Sequence, residues 1–356
     1  IMAYTTIDKP TDYFRTKLYT GNGTNDTAIT WDETDTNMQP NWLWIKNRDE
    51  NQSHASFDSV RGATLRLNIN EAGAEGTENT NLDSFDSNGF TVDNELIVNG
   101  SSDNMVAWGW KAGTSFTNDA SSTGIGTIDS SGSVNTDAGF SIVSFTGNGT
   151  SGASVKHGLS TKPAMMIIKN RDEADSWQVY HHKNTSAPAT ETLQLNETGA
   201  TSDTSNRWND TEPTTAIFTL GDNPTVNKNT IKYIGYIFSE IKGYSKFGSY
   251  TANNNSNGTF IYTGFKPAFA IFKKSSGTET WHIHDNKRSP FNVSSAELYA
   301  SESQAEDTNA RLDLLSNGVK MRTDGGGYNT GSETYIYMAF AKNPFVTSTG
   351  VPATAR

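Results

Sequence analysis

The histidines concentrate in two short runs, Tyr180-His181-His182 and Trp281-His282-Ile283-His284-Asp285. Residues two apart on a strand share a face, so His282 and His284 have the spacing to offer imidazole nitrogens to one metal ion. The bland alternative is stronger. Trp177, Val179 and Tyr180 align with Trp281, Ile283 and His284, so the two runs are registers of one aromatic strand, and no metal site is expected. The Asn-Arg-Asp-Glu blocks at 47–50 and 170–173 carry carboxylates suited to calcium or, as a pair, to glycoside hydrolysis. Adjacent acids on a strand point to opposite faces, and the third comparable stretch reads Lys274-Ser275-Ser276-Gly277, which favours a solvated turn. Calcium is the one cofactor these residues suggest, and otherwise none is expected. Trp31, His182, Trp208, Trp281 and Tyr328 lie in or near polar, glycine-rich segments and are the candidate ligand contacts, since aromatic faces stack on sugars without any catalysis. There is no G-x-S-x-G elbow, H-E-x-x-H, Walker loop or EF-hand spacing, so the chain is not expected to be an enzyme.

The elements that must carry these residues recur. Leu18-Tyr19-Thr20-Gly21-Asn22-Gly23-Thr24 is echoed by Ser144-Phe145-Thr146-Gly147-Asn148-Gly149-Thr150 and more weakly by Ser249-Tyr250-Thr251-Ala252-Asn253. Pro40-Asn41-Trp42-Leu43-Trp44-Ile45-Lys46 returns as Pro163-Ala164-Met165-Met166-Ile167-Ile168-Lys169 and as Pro267-Ala268-Phe269-Ala270-Ile271-Phe272-Lys273. Thr64-Leu65-Arg66-Leu67-Asn68 resembles Thr192-Leu193-Gln194-Leu195-Asn196, with Glu297-Leu298-Tyr299 in the last copy. The closing blocks are Met105 to Trp110, Tyr233 to Phe238 and Tyr335 to Phe340. Asp58 and Arg61 recur as Asp285 and Arg288, which a partnership within a turn explains. Repeats of this size are whole domains rather than solenoid turns.

Each block after the proline is a continuous apolar run, as expected of a strand covered on both faces. The Thr-Gly-Asn-Gly segments read as hairpin turns. The expected fold is all-β: three tandem antiparallel β-sandwiches of jelly-roll or concanavalin-like type, at 1–111, 139–242 and 243–347, followed by a tail at 348–356. Residues 112–138, rich in Gly, Ser, Thr, Asn and Asp, read as a linker or long loop that gives a flexible first joint and the first site of proteolysis. The second joint has no spacer and should be stiffer.

With 31 glycines and 11% aromatic residues, the composition fits short strands joined by many turns. A net charge of -11 supplies no positive field for a polyanion, so nucleic acid is not an expected partner. The absence of cysteine rules out disulfides and thiolate chemistry. No apolar run is long enough for a spanning helix, and membrane insertion is not expected. The start, Ile1-Met2-Ala3-Tyr4, has no signal-peptide pattern.

The segment Ala138 to Thr150, His157-Gly158-Leu159 and Lys162 to Arg171 resembles a repeat domain of unknown function in structural proteins of tailed phages, notably marine and cyanobacterial ones. Gly243 to Thr251 and Tyr335 to Phe345 are similar to the same family. The resemblance implies a protein of the virion surface with concanavalin-like sandwiches. It would be a tail-fibre or receptor-binding component that contacts host glycans, other virion proteins and further copies of itself. A capsid-decorating or appendage-building subunit is the alternative, and a polysaccharide depolymerase a more distant one. The first copy departs most, with His54 where the others have Trp177 and Trp281.

Overall fold

The computed structural model describes residues 4–352, so Ile1, Met2 and Ala3 and the last four residues of the tail lie outside the described residues. The chain is almost entirely antiparallel β-structure in sandwich layers. In the first large sheet the strands run in the order Phe14–Thr20, Asn104–Trp110, Trp42–Asn47, Ala55–Asp58, Gly62–Asn68. The second repeats it with Phe140–Thr146, Lys232–Phe238, Met165–Asn170, Gln178–His181 and Glu191–Gln194. Ser245–Thr251, Thr334–Pro344, Phe265–Lys274, Trp281–Asp285 and Ser294–Tyr299 make the third. The closing block is thus a central strand in every copy, paired with that copy's opening strand on one side and with the post-proline block on the other. Each of these strands is covered by a core on either face, which is why both blocks are largely apolar.

Alternation along these strands divides their side chains between two cores. Trp42 and Trp44 point one way with Val106, Trp108 and Trp110; Leu43 and Ile45 point the other with Met105 and Ala107. The second set packs against the copy's own small sheet, Thr27–Thr30, Gly89–Val92 and Leu82–Asp86. The first set joins a single central core that also takes Tyr236 and Phe238 from the second sheet and Phe269, Ile271 and Phe340 from the third. Trp42 stacks on Trp110 and on Tyr236, each at 4.4 Å between ring centroids, and Phe14 stacks on Phe340 at 5.3 Å. The three large sheets therefore share one interior. Removing any copy would strip aromatic surface from the other two, so the first joint is not a free hinge in this structure and the three expected sandwiches share one core.

Three further expectations change. Residues 112–138 are not a linker. Thr114–Asn118 and Ser130–Asn135 extend the second large sheet beyond Phe140–Thr146, with the helical turn Ala120–Thr123 between them. The outermost strands of a sheet need few large apolar residues, which is why their sequence reads as a spacer. Leu67, not Leu65, stands at the place of Leu193 and Leu298, because Ser56, Val179 and Ile283 face those three leucines across the ladder. The Thr-Gly-Asn-Gly segments do not close hairpins within one sheet; they lie on buried asparagines. Asn22, Asn148 and Asn253 donate their amides to the side chains of Asn99, Asn227 and Asn329 at 2.9 Å in each case.

Candidate functional site

Equivalent positions in the three copies meet cyclically, so that the first copy leans on the second, the second on the third and the third on the first. Trp177 Nε1 donates to the Asn68 carbonyl at 3.0 Å, and Trp281 Nε1 to that of Gln194 at 2.9 Å. His54, at the third such position, is buried beside Tyr299, but its Nε2 makes no hydrogen bond of ordinary geometry to any of the described residues. The turn after the fourth strand reaches across each seam. Asp58 accepts a hydrogen bond from Tyr236 Oη at 2.8 Å, Asp285 accepts one from Trp108 Nε1 at 3.1 Å, and His181 Nε2 meets the Tyr337 carbonyl at 3.2 Å. Burial pushes His181 down to about 3, so it sits there as a neutral ring.

Two of the three seams carry the same charged clamp. Asp58 caps its own turn and pairs with Arg61 Nε at 2.5 Å, as the repeat suggested. Arg61 then bonds Glu75 at 2.9 Å, and Glu75 is held from the second copy by both Nε and Nη2 of Arg171, at 3.0 and 2.8 Å. Asp285, Arg288, Glu306 and Arg48 rebuild this clamp between the third copy and the first, with Arg48 on Glu306 at 2.9 and 2.6 Å. Such two-pronged guanidinium–carboxylate pairs are strong and directional. In all three seams the backbone amide at the clamp-acid position donates to the facing copy: Glu75 to the carbonyl of Arg171, Glu306 to that of Arg48, and Thr201, which stands in the acid's place, to that of Ser275.

The seam between the second and third copies has the same backbone and none of the charges. His181, Asn184, Thr201 and Ser275 occupy the positions of Asp58, Arg61, Glu75 and Arg171. Thr201 Oγ1 donates to Asn184 Oδ1 at 2.8 Å, and Ser275 Oγ to the Thr334 carbonyl at 3.2 Å. The smaller side chains leave a cavity of about 490 Å³ bordered by all three small residues, and a second of about 900 Å³ beside it that is bordered by Tyr180, His182 and Tyr337. Lys183 and Ser249 border both, which makes them one crevice. Its other charges are largely self-neutralised, Lys162 by Glu212 and Lys246 by Glu240 at 2.6 Å. The seam from the third copy to the first has a cavity of only about 270 Å³ at the corresponding place, where Lys287 is tied to Asp32 at 3.0 Å.

Of the five aromatic candidates, His182 alone borders this crevice, with Nε2 on the Phe247 carbonyl at 2.8 Å. The other four are core. Trp31, Trp208 and Trp281 are at most 2% exposed, and their indole N–H groups are spent on the carbonyls of Met38, Glu191 and Gln194. Tyr328 is equally buried and donates to Glu297. Polar flanks misled because a buried indole needs only one acceptor, which a neighbouring loop supplies. Sequence reading missed Tyr180, Asn184, Thr201 and Ser275. The signal available was the loss of Asp and Arg from an otherwise regular column at 181 and 184.

His282 and His284 do share a face, and protein groups engage both rings. His282 Nδ1 meets Glu297 at 2.6 Å and its Nε2 meets Thr280 Oγ1 at 3.2 Å; His284 lies between Ser294 and Tyr328. Burial opposes charge on His282, but the carboxylates of Glu279, 3.7 Å from Nε2, and of Glu297, which accepts from Nδ1, more than offset it and raise its affinity for the proton. Thr280, His282 and Glu297 follow the order of a nucleophile, a base and an orienting acid. Gly327 nevertheless lies on the ring, so close that a Cβ there would stand 2.1 Å from His282 Nε2. In the Asn-Arg-Asp-Glu turns, Asp49 and Asp172 accept the amides of Asn104 and Lys232, while the arginines form the clamps. A further polar cavity of about 720 Å³ lies against the inserted strands of the second copy, between Asp129 and Lys232.

A family model, described as a domain of unknown function, DUF7483, matches residues 9–344. The chain belongs to that family. No curated protein matches it.

Proposed function

We propose that this member of the DUF7483 family is a non-enzymatic virion protein of a tailed bacteriophage, a tail-fibre or receptor-binding component that contacts host surface glycans. The observation that carries the reading is the open seam. It is a surface crevice lined by hydroxyls, amides and ring edges, in which two of the three lysines are paired with acids. Such a lining suits recognition of a polyol. The phage setting rests on the resemblance of the repeat blocks, and a shared aromatic core supplies the rigid platform that adhesion under load requires. No cofactor enters this reading. The test is competition: the purified full chain, added in excess, is expected to slow adsorption of the phage to its host, and unchanged adsorption overturns the proposal.

One observation favours the alternative of an appendage-building or capsid-decorating subunit. Phe260 and Tyr262 stand 44% and 52% exposed on the outermost strand of the third sheet, an edge that pairs with no further strand among the described residues and suits another virion chain or a further copy of this one. Locating the chain in a reconstruction of the intact particle separates the two, since capsid lattice positions favour the alternative and tail-tip density favours adhesion.

A further inference from the structure

We propose that the crevice between the second and third copies is a binding site for a neutral or N-acetylated saccharide, built by removing a clamp that the other two seams retain. This rests on the adhesion reading and names its site. The three seams are an internal comparison in which one backbone hydrogen bond between the copies, from Glu75, Thr201 or Glu306, is kept. Where Arg61, Glu75 and Arg171 fill one seam and Arg288, Glu306 and Arg48 another, Asn184, Thr201 and Ser275 leave the third open. Lys183 differs in the same sense. Its counterpart Lys287 is paired to Asp32, whereas Lys183 makes no ion pair among the described residues and borders both halves of the crevice.

A second, independent feature points to a ligand. Tyr180 is fully buried, borders the larger cavity, and its hydroxyl has no hydrogen-bond partner among the described residues. A buried hydroxyl left unpaired costs roughly 1–3 kcal/mol, a penalty that a ligand hydroxyl or amide reaching it would remove. The remaining lining fits the same chemistry. Asn184, Thr201, Ser275 and Ser249 both donate and accept, as sugar hydroxyls and acetamido groups do, while His182 contributes a ring held at one nitrogen by the Phe247 carbonyl. A strongly acidic glycan is disfavoured, because Glu191, Asp203, Glu212 and Glu240 all border the crevice and only Lys183 among its lysines stands without an acid.

The test transplants the missing clamp. The full chain and the triple variant Asn184→Arg/Thr201→Glu/Ser275→Arg are applied to an array of neutral, N-acetylated, sulfated and uronic acid oligosaccharides, and the retained sugars are titrated in solution. The wild type is expected to bind neutral or N-acetylated members, and the triple variant to bind them at least about ten-fold more weakly while keeping its unfolding midpoint. If the triple variant does not fold, His182→Ala decides alone, with an expected loss of about five-fold. Equal binding by the folded variants, retention of acidic glycans alone, or retention of none overturns the proposal. Adsorption separates this from the broader reading. If wild type and variants compete equally for the host, the crevice is not the contact although the adhesion reading stands; if the wild type does not compete, that reading itself fails.

Discussion

Replacing Glu75 with glutamine removes the single charge on which two arginines of different copies lean. Arg171 holds that carboxylate with two hydrogen bonds of 3.0 and 2.8 Å, and Arg61 holds it with one of 2.9 Å. The Arg61 side chain is fully buried, and those of Glu75 and Arg171 are each 13% exposed. Breaking a buried pair by removing one partner costs about 3–5 kcal/mol. Glutamine keeps an acceptor oxygen, Arg61 keeps Asp58, and the rim is partly wet, so a loss of about 2–3 kcal/mol is expected. The matched control is Thr201→Ala in the neutral seam, where one hydrogen bond between uncharged groups is worth about 0.5–1.5 kcal/mol. Denaturant unfolding followed by tryptophan fluorescence and by far-ultraviolet dichroism measures both. Because the aromatic core is shared, the two signals should move together in one transition.

Acid supplies a second arm of the same experiment. Burial opposes ionisation of Glu75, but hydrogen bonds and charge from Arg171 and Arg61 more than offset it and hold the carboxyl below the ordinary 4.5. The folded chain therefore takes up this proton less readily than the unfolded chain. Its contribution is complete above about pH 4.3, the unfolded value, and is lost as pH falls through the lower folded value. The gap between wild type and Glu75→Gln should narrow from pH 6 to pH 3. A variant within about 0.5 kcal/mol of wild type at pH 7, or no costlier than Thr201→Ala, would refute the clamp argument.

Burial pushes Lys46, Lys169 and Lys273 down to about 8, so above that pH the unfolded chain holds their protons and the folded chain does not. Stability should rise between pH 8 and 9.5 by on the order of 1 kcal/mol per lysine, and a denaturation midpoint that falls across this window contradicts the assignment. Trp42→Ala is expected to cost about 3–5 kcal/mol and to lower one common midpoint; an early separate transition of the first copy would instead show that the copies fold independently. Brief chymotrypsin treatment should cut at Phe291, which is 79% exposed, before any bond between Ala112 and Ala138; the opposite order would mean that the inserted strands are loosely held.

The sequence made the apolar strands legible because their residues are buried on both faces wherever they pair, so local composition carries the whole signal. The Asp58–Arg61 turn was legible for the same reason of locality. Arg48 and Arg171 were not. Their role is set by Glu306 and Glu75 on other copies, and nothing within the Asn-Arg-Asp-Glu turn distinguishes a clamp from a solvated loop. Ser130–Asn135 failed differently. Its place is fixed by a backbone ladder to Phe140–Thr146, and a ladder leaves little trace in side-chain polarity. One regular feature was present and overlooked, namely an asparagine six residues before Met105, Tyr233 and Tyr335, which is Asn99, Asn227 and Asn329, each buried and each binding the loop after the copy's opening strand.

What makes the neutral seam informative is that its replacements come as a set. Within a clamp, losing Glu75 alone would strand Arg61 and Arg171, and losing Arg61 alone would leave Asp58 buried with only Tyr236 and backbone amides as donors. Either single change costs about 2–5 kcal/mol, a large fraction of the stability of a typical domain. His181, Asn184, Thr201 and Ser275 avoid that penalty together: the histidine is neutral, the amide and hydroxyl satisfy each other, and the backbone bond from Thr201 to Ser275 keeps the seam closed along the chain. A ring of three near-equal copies does not need such a seam to be stable, since the charged solution already serves twice. The neutral set forgoes a strong clamp and leaves open space lined with groups that can pair with hydroxyls, which is the space the proposed saccharide site would use.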